Sequence, residues 1–523
     1  MRLAITFVLV AAFYGIVSLA MLPPKPLEAD APADVFSAAR ARTHLVELLG
    51  DGASRWAGTP GNLAAREWLI ARLGEFGYEV EVQDAPAFED RLRQLQVHNV
   101  VATLPGEDPS GVVLLNAHYD SVHSGPGASD DGVGVAVLLE VARMLKAGPR
   151  LKNTVVFLFD DGEEMGLCGA RAFCREHPLA ADIDVVLNFE ARGSSGPTFM
   201  FETSADNGWL MDVFAHSVAQ PATASVLTTI YEAMPNDTNL TVYKENGLAG
   251  LNFAFIGDPQ NYHTPDDDLA HVTMGSMQHH GDHALALVRA FGDLDLESTV
   301  REGNDVFFDL LCTFLIRWPE GVSLWLAIGL MAVVLLIARI VVARGAAGSL
   351  ILAVCSWLAS LVFPVALCLG GVYALESAGF LERNFVGNTV GYSTFYWGLS
   401  LAGFWLGTRI GRSRTQAWSL WVVSWSVYAL LAIVTAVLAP GTCYIFVFPL
   451  MVASLTALPA LLGRRQPGLP AMLLPVLAAG LVWFPLQQML PVALGVRLGW
   501  VLGAAHALFL TTALAVTARS ASR

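Results

Sequence analysis

Five short segments between residues 117 and 264 carry side chains that can bind metal ions and move protons. They are Ala117–Asp120, Ala128–Gly132, Asp160–Glu164, Asn188–Glu190 and Tyr262–Thr264, and most of them directly follow an apolar run. Two histidines and several carboxylates are the ligand set that a pair of zinc ions needs, and one spare carboxylate can act as a base. The five segments together therefore predict a two-metal hydrolytic site.

The elements that must position these segments alternate between strands and helices. Strands are predicted at 97–104, 112–117, 154–159, 184–189 and 251–256, and helices at 62–78, 132–146 and 276–291. This alternation predicts an α/β three-layer sandwich around a mixed, mostly parallel sheet. In such sheets the site lies at the carboxyl ends of the strands, which is where the first, third and fourth segments fall.

The first segment pairs a histidine with a carboxylate. His118 ends the predicted strand 112–117, and strand alternation puts Asp120 on the same side if the strand extends that far. A carboxylate that accepts a hydrogen bond from a ligating imidazole is common beside zinc. Taken alone, this segment is equally compatible with a surface histidine at a strand end.

The acidic segments also have two interpretations. Asp130 and Asp131 precede two glycines at a predicted helix start, so they can cap the helix or bridge two metals. Glu163 and Glu164 follow the Asp160–Asp161 pair at the end of a buried strand, where clustered acids repel one another unless a cation is present. Adjacent glutamates can divide the chemistry, one binding metal and the other moving protons.

The last two segments complete the set of candidate ligands. Glu190 follows another buried strand, and His263 lies in the polar loop 261–267. A histidine in a loop of this kind is usually just exposed to solvent. Tyr262 beside it can donate a hydrogen bond to an oxyanion.

The order of these motifs resembles a known family. His-x-Asp, Ser-Asp-Asp-Gly, Glu-Glu-x-Gly-Leu, Asn-x-Glu and Tyr-His-Thr-x-x-Asp are similar to the motifs of the di-zinc aminopeptidases of the aminopeptidase Y family. That family includes glutamate carboxypeptidases, glutaminyl cyclases and the non-catalytic transferrin receptor. The resemblance extends over about residues 35–295 and includes 56–62, which is similar to the family's early Gly-Thr-Pro-Gly segment.

The resemblance implies two zinc ions per chain, held by five residues. One ion is expected on His118, Asp130 and Glu190. The other is expected on Asp130, Glu164 and His263. Asp130 would bridge the two ions, and its peptide bond to Asp131 would be cis.

The resemblance also implies a role for three further side chains. Glu163 would be the general base and acid, Asp120 would orient His118, and Tyr262 would stabilise the oxyanion. The implied reaction is zinc-dependent removal of the amino-terminal residue of a peptide by a metal-activated water.

Three other functions are compatible with the same fold. A glutaminyl-cyclase-like acyltransferase would use one zinc, and the intact two-metal set with His118 argues against it. A carboxypeptidase acting on acidic dipeptides is not excluded by any feature of the sequence. A non-catalytic membrane scaffold would have lost ligands, whereas all five are present here.

Composition divides the chain into two parts. Of its 523 residues 54% are hydrophobic, a share too high for a soluble protein of this size, and the excess lies in residues 321–518. Residues 23–310 are typical of an acidic soluble domain and contain nearly all the acidic residues behind the chain's net charge of −15. An acidic surface argues against nucleic acid as a partner, so the expected partners are a peptide substrate and the lipid bilayer. The sequence carries no signal for an oligomeric state.

Residues 3–22 form an uncharged segment that is long enough to cross a bilayer. A cleaved signal peptide is the alternative interpretation, because Ser18-Leu19-Ala20 resembles a cleavage site. Seven further apolar runs are predicted spans, at 321–338, 346–371, 391–408, 417–438, 443–462, 470–490 and 498–518. The expected domains are therefore an anchor at 1–22, a catalytic domain at 23–310 and a membrane domain at 321–518.

The arginines in the loops between the spans predict the orientation. Loops expected in the cytoplasm contain most of them: Arg339, Arg344, Arg409, Arg412, Arg414, Arg464, Arg465, Arg519 and Arg523. Loops expected outside contain only Arg383 and Arg497. This distribution predicts eight spans with both termini inside, and a catalytic domain in the bacterial periplasm or in a eukaryotic lumen.

The predicted membrane segments narrow both the family resemblance and the range of expected functions. The span interiors contain no Asp, Glu or Lys and a single histidine, His506, which argues against a transporter. An anchor before the catalytic domain and a multi-span bundle after it resemble the endoplasmic reticulum metallopeptidase (Felix-ina) branch and its bacterial relatives. Residues 235–238, Pro-Asn-Asp-Thr, support this narrower resemblance.

Overall fold

The computed structural model describes residues 2–87, 96–381, 389–410, 416–462 and 468–518. The chain divides into two compact units. The α/β unit comprises Leu22–Asp305 and Cys312–Ile316, and the helical unit comprises Met1–Met21, Val306–Leu311 and Arg317–Arg523.

A seven-stranded sheet is the centre of the α/β unit. Its strands are β1 (Val80–Pro86), β2 (Gln96–Leu104), β3 (Val112–His118), β4 (Thr154–Asp160), β5 (Ile183–Ala191), β6 (Ser195–Thr203) and β7 (Ala249–Gly257). Their spatial order is β1-β2-β4-β3-β5-β7-β6. The four central strands β4, β3, β5 and β7 are parallel, and the strands at both edges pair antiparallel. The predicted mixed, mostly parallel sheet is thereby confirmed.

Helices cover both faces of this sheet. Those of the α/β unit are α2 (Ala38–Leu49), α3 (Pro60–Glu75), α4 (Gly134–Ala147), α5 (Cys168–Glu176), α6 (Gly208–Ser217), α7 (Ser225–Glu232), α8 (Asn239–Glu245) and α9 (Met274–Asp293). Helices α2, α4 and α9 pack together on one side, and α5 and α8 pack together on the other. Because helices bury both of its faces, the four parallel strands are almost entirely apolar along their length.

Local sequence explains where the helices nearest the site begin. Helix α3 follows Thr59, whose hydroxyl accepts a hydrogen bond from the Asn62 amide, and Pro60 occupies its first turn. Helix α4 follows a turn at 128–133 that carries Asp130 and Asp131. The start of α4 is therefore the place where the second acidic segment meets the carboxyl end of β3.

The helical unit contains α1 (Arg2–Ala20), α10 (Ser323–Val341), α11 (Ala347–Ser377), α12 (Thr389–Thr408), α13 (Ala417–Leu438), α14 (Tyr444–Leu462), α15 (Leu469–Leu494), α16 (Gly499–Thr511) and α17 (Leu514–Thr517). Strands β8 (Asp305–Leu310) and β9 (Phe314–Pro319) form a separate two-stranded sheet.

Five helical stretches among the described residues are long and apolar enough to cross a membrane: Glu320–Gly345, Ala347–Ser377, Ala417–Leu438, Tyr444–Leu461 and Leu469–Leu494. The segments Ile5–Ala20 and Val496–Thr511 are shorter apolar helices, and α12 is not among the five. The total of eight spans thus stays a prediction. The residues Arg383, Arg412, Arg414, Arg464, Arg465, Arg519 and Arg523, on which the predicted orientation partly depends, lie outside the described residues.

Candidate metal centre

The central strands bring the polar segments to one edge of the sheet. His118 is the last residue of β3, Asp160 is the last residue of β4, and Glu190 is the second-last residue of β5. The loop that carries Tyr262 and His263 follows β7. Because β4, β3, β5 and β7 are adjacent and parallel, all four carboxyl ends meet at the same edge.

The buried His118 imidazole lies between three carboxylates. Its Nε2 atom is 3.1 Å from Oδ1 of Asp130 and 3.6 Å from Oε2 of Glu190. Its Nδ1 atom is 3.3 Å from Oδ1 of Asp120 and 3.2 Å from the Asp120 carbonyl oxygen. One ring nitrogen is thus directed at two candidate ligands, while the other is held by Asp120.

The second oxygen of Asp130 faces a different histidine. Oδ2 of Asp130 is 3.1 Å from Nε2 of His263, and the same nitrogen is 3.2 Å from Oε2 of Glu164. One carboxylate therefore lies between two groups of candidate ligands. In each group, His118–Asp130–Glu190 and Asp130–Glu164–His263, one donor atom per residue lies within 4.8 Å of the others.

The turn at 128–133 separates the two neighbouring aspartates. The peptide bond between Asp130 and Asp131 is cis, as the family resemblance implied. Oδ1 of Asp131 accepts a hydrogen bond from the Gly134 amide at 3.1 Å, and Oδ2 accepts one from the His118 amide at 3.3 Å. Asp131 therefore caps the start of α4, whereas Asp130 faces the two histidines as a candidate metal ligand.

Asp120 also supports the glutamate pair. Its Oδ1 accepts a hydrogen bond from the Glu163 amide at 3.1 Å, and its Oδ2 accepts one from the Glu164 amide at 3.2 Å. The same carboxylate therefore positions His118 and both glutamates. The sequence predicted only the first of these contacts.

Asp160 and Asp161 are directed away from the histidines. Asp160 accepts hydrogen bonds from Asn116 Nδ2 at 2.6 Å and from Asn239 Nδ2 at 2.9 Å, and burial raises its pKa to about 7. Asp161 accepts from Asn62 Nδ2 at 2.8 Å and from the amide nitrogen of His98 at 3.1 Å. These two acids fix the end of β4 and are not part of either ligand group.

Burial and neighbouring carboxylates raise the pKa values of the two glutamates at this centre. Desolvation raises the pKa of Glu163 well above its usual range; His118 opposes this shift, whereas Glu190 and Glu164 add to it. Burial, with Asp130, raises the pKa of Glu164 to about 7. The side chains of this cluster therefore lack enough positive charge to balance their carboxylates, which is the setting that binds cations.

Two buried carboxylate oxygens indicate whether the centre fits zinc ions. Oε1 of Glu164 and Oε1 of Glu190 are buried and have no hydrogen-bond partner among the described residues. A buried carboxylate oxygen without a partner is costly, and a metal ion is one way to satisfy it. Imidazole nitrogens and carboxylate oxygens are also the donors that catalytic zinc sites use, so the residues fit two zinc ions.

Tyr262 lies against the second ligand group. Its ring stacks on the His263 ring, with centroids 3.7 Å apart and planes inclined by 19°. Burial raises the pKa of Tyr262 well above its usual range, and Asp130 and Glu164 add to that shift. The phenol therefore stays protonated at neutral pH and can donate a hydrogen bond.

Asp267 is a supporting residue that sequence reasoning did not single out. Its Oδ1 accepts a hydrogen bond from the Ser129 amide at 2.7 Å, and its Oδ2 accepts one from the Asp130 amide at 3.1 Å. Its carbonyl oxygen accepts from the Ala128 amide at 2.9 Å. The only sequence signal was its place as the last residue of the Tyr-His-Thr-x-x-Asp motif.

Arg55 supports the loop that precedes the turn at 128–133. Its side chain is buried and donates hydrogen bonds to the carbonyl oxygens of Tyr119 at 2.8 Å, Gly127 at 3.0 Å and Pro126. Burial lowers the pKa of Arg55, and the field of Asp120 opposes this shift. Arg55 thus fixes both ends of the loop between Tyr119 and Gly127, a role for which the sequence carried no signal.

We expect Asp267→Asn to weaken zinc binding by about 10- to 100-fold, the usual effect of losing a supporting hydrogen bond at a metal site. The amide would keep one acceptor but place an N–H₂ group opposite a backbone N–H, so the turn that carries Asp130 would shift. Competition with a chromophoric chelator measures the affinity. Asp266→Asn, at an exposed neighbouring position, is the matched control, and equal affinities in the two variants would contradict the assigned role.

Comparison with known proteins gives a family match for the segment that contains this centre. Residues 99–288 match the profile of peptidase family M28, and this segment contains all five candidate ligands. The match confirms the resemblance that the motifs predicted. It also identifies this segment as a peptidase domain of the M28 type.

Two curated relatives are similar in sequence to part of this chain. The chain is 36% identical over 252 residues to endoplasmic reticulum metallopeptidase 1 of Rattus norvegicus, an alignment that covers 46% of this chain and 28% of the relative. It is 36% identical over 185 residues to the vacuolar membrane protease of Candida dubliniensis, covering 35% of this chain and 20% of the relative. These relatives confirm the narrower resemblance to the membrane-bound branch, although the chain spans only 20–28% of their length.

Two solved structures are similar to about half of this chain. Glutaminyl cyclase of Porphyromonas gingivalis is 23% identical, with a TM-score of 0.41 over 48% of this chain and 98% of that one. The aminopeptidase from Aneurinibacillus sp. strain AM-1 is 15% identical, with a TM-score of 0.43 over 52% of this chain and 98% of that one.

Proposed function

We propose, from the match to peptidase family M28, that this chain is a two-zinc aminopeptidase that removes the amino-terminal residue of peptides. The observation that carries the proposal is the position of Asp130, whose two oxygens each lie 3.1 Å from a different histidine. A carboxylate in this position can bridge two metal ions, which a single-metal site does not need.

The expected ligands are the two groups around Asp130. His118 and Glu190 complete one group, and Glu164 and His263 complete the other. Zinc ions bound there would act as Lewis acids on the scissile carbonyl and lower the pKa of water.

The protein's own side chains would carry out the proton transfers. Glu163, whose amide is fixed by Asp120, would take a proton from the attacking water and deliver it to the departing amine. The Tyr262 hydroxyl would donate a hydrogen bond to the oxyanion that forms on the carbonyl. Asp120 holds His118 in the orientation that directs Nε2 at Asp130 and Glu190.

The acidity of the centre supports an exopeptidase that acts on amino termini. Five carboxylates, those of Asp120, Asp130, Glu163, Glu164 and Glu190, surround two histidines at the end of the sheet. Two divalent zinc ions would offset most of this negative charge and leave the loaded site with a small net negative charge. That remaining charge would attract the positively charged amino terminus of a peptide more than its carboxyl terminus.

The test is zinc content by elemental analysis together with hydrolysis of a panel of aminoacyl fluorogenic substrates, with and without chelator. We expect about two zinc ions per chain and a chelator-sensitive release of the first residue. One zinc ion with cyclisation of amino-terminal glutamine would instead indicate an acyltransferase. Bound zinc with release only of carboxyl-terminal residues would indicate a carboxypeptidase. An absence of both metal and turnover would indicate a scaffold.

We also propose that the chain crosses the membrane eight times and that the catalytic domain lies outside the cytoplasm. The five long apolar helices and the excess of arginine in alternate loops support this arrangement. Protease added to sealed vesicles of known orientation measures it. Protection of the catalytic domain in right-side-out vesicles would contradict the proposed orientation.

A further inference from the structure

Two stacked aromatic rings involve the loop between two candidate ligands, His118 and Asp130. The rings of Trp56 and His123 have centroids 4.4 Å apart and planes inclined by 19°. His123 belongs to the loop that connects His118, at the end of β3, to the turn that carries Asp130. We call this pair of rings the aromatic shelf.

Hydrogen bonds attach the shelf to the second histidine of the centre. The hydroxyl of Ser124, which follows His123, donates to the His263 carbonyl oxygen at 2.8 Å. The hydroxyl of Ser54 donates to the Val122 carbonyl oxygen, also at 2.8 Å. The shelf is therefore fixed relative to a candidate metal ligand, and a bound peptide would meet it in one defined position.

Packing of Trp56 connects the shelf to an apolar cluster that includes a residue of the Glu163 loop. Trp56 packs against a buried apolar cluster that contains Met165, two residues after Glu163 in sequence. The shelf is thus connected through Ser124 to His263 on one side and through Trp56 to the Glu163 loop on the other. Both connections belong to the catalytic edge of the sheet.

Packing of the hydrophobic core does not explain the position of the His123 ring. Trp56 is partly buried and covers the apolar cluster, but the His123 side chain is exposed to solvent and its ring stacks on Trp56. Among the residues that the structure describes, the His123 ring has no hydrogen-bond or ion-pair partner. An exposed ring stacked beside a catalytic centre is available to bind another flat or apolar group.

The proposed mechanism identifies which part of a peptide would reach this shelf. Glu163 must deliver a proton to the departing amine, so the leaving side of the scissile bond must lie next to Glu163. Trp56 of the shelf packs against the apolar cluster that contains Met165 of the Glu163 loop. We infer that Trp56 and His123 form a subsite for the side chain of the second residue of the substrate, with a preference for aromatic and large apolar side chains; this inference rests on the proposed function.

The test compares two dipeptides that differ only in the second residue, Leu-Phe and Leu-Gly. Release of free leucine gives kcat and KM for the wild-type protein and for His123→Ala. We expect the variant to lose about two- to tenfold in kcat/KM for Leu-Phe through a higher KM, with Leu-Gly unchanged. His123→Phe keeps a stacking ring and should retain the preference. His216→Ala, at an exposed histidine on α6, should change neither substrate.

A binding measurement separates failure of this inference from failure of the proposed function. Calorimetric titration of both dipeptides into zinc-loaded Glu163→Gln protein reports affinity without turnover. If wild-type protein cleaves neither dipeptide, the proposed function fails, but tighter binding of Leu-Phe that is lost in His123→Ala would still support the subsite. Equal binding of the two dipeptides, no binding of either one, or a preference that persists in His123→Ala would overturn the subsite.

Discussion

Replacing Glu163 with glutamine should lower kcat for peptide hydrolysis by about 10²- to 10⁴-fold while zinc content stays unchanged. Glutamine has nearly the same shape, so the amide of residue 163 can still donate to Asp120. It cannot accept a proton from water or deliver one to an amine. The loss should therefore fall on kcat, with little change in the binding of substrate.

Steady-state kinetics and elemental analysis of the same preparations check this result. Glu164→Gln is the matched control because it removes one carboxylate from the adjacent position, which is a candidate ligand. That variant should lose zinc as well as activity, whereas Glu163→Gln should lose activity alone. A near-normal rate in Glu163→Gln, or equal loss of zinc in both variants, would disprove the assignment of the base.

Removing the Asp130 carboxylate should release both metal ions at once. Its two oxygens belong to different ligand groups, so Asp130→Ala takes one donor from each of them. We expect zinc content to fall from about two ions per chain to nearly none under conditions in which the wild-type protein keeps both. His263→Ala should empty only the group that contains Glu164, because His118 and Glu190 remain in place.

Elemental analysis after dialysis against a mild chelator distinguishes these outcomes, and circular dichroism verifies that each variant is folded. Asp266→Asn, near the site but exposed, should keep the wild-type zinc content. Retention of one zinc ion by Asp130→Ala would mean that the carboxylate serves a single metal. In that case the two-metal mechanism would have to be abandoned.

The sequence predicted the central strands well because most of their residues are apolar. The stretch 154–159 is observed as Thr154–Asp160, and 184–189 is observed as Ile183–Ala191. Strands β1 and β6 were not predicted. β1 contains acidic residues and ends at Pro86, while β6 begins Ser-Gly-Pro, and both lie at an edge of the sheet, where such residues are tolerated.

The predicted site residues were found through motifs, and the structure brings them together at one edge of the sheet. Asp267 and Arg55 were not singled out, since their function depends on contacts between distant parts of the chain. Asp267 accepts hydrogen bonds from a turn 137–138 residues earlier, and Arg55 donates to carbonyl groups 64–72 residues later. No local pattern reports contacts of this kind.

Hydropathy predicted the positions of the apolar helices better than the number of membrane spans. The predicted run 391–408 is part of the 20-residue helix α12, yet this helix is not among the five that are apolar enough to span. Its sequence includes several glycine, serine and threonine residues, which lower its mean hydropathy. Composition alone therefore identifies a helix here without deciding whether lipid surrounds it.

Asp267 also has a consequence for how the protein is made. The loop that carries His263 and Asp267 is among the last parts of the α/β unit to leave the ribosome, yet it holds the turn that carries Asp130. A nascent chain that lacks this loop has neither a complete ligand set nor a fixed Asp130. We therefore expect metal to be acquired after the domain has been synthesised and folded, from the compartment in which folding ends.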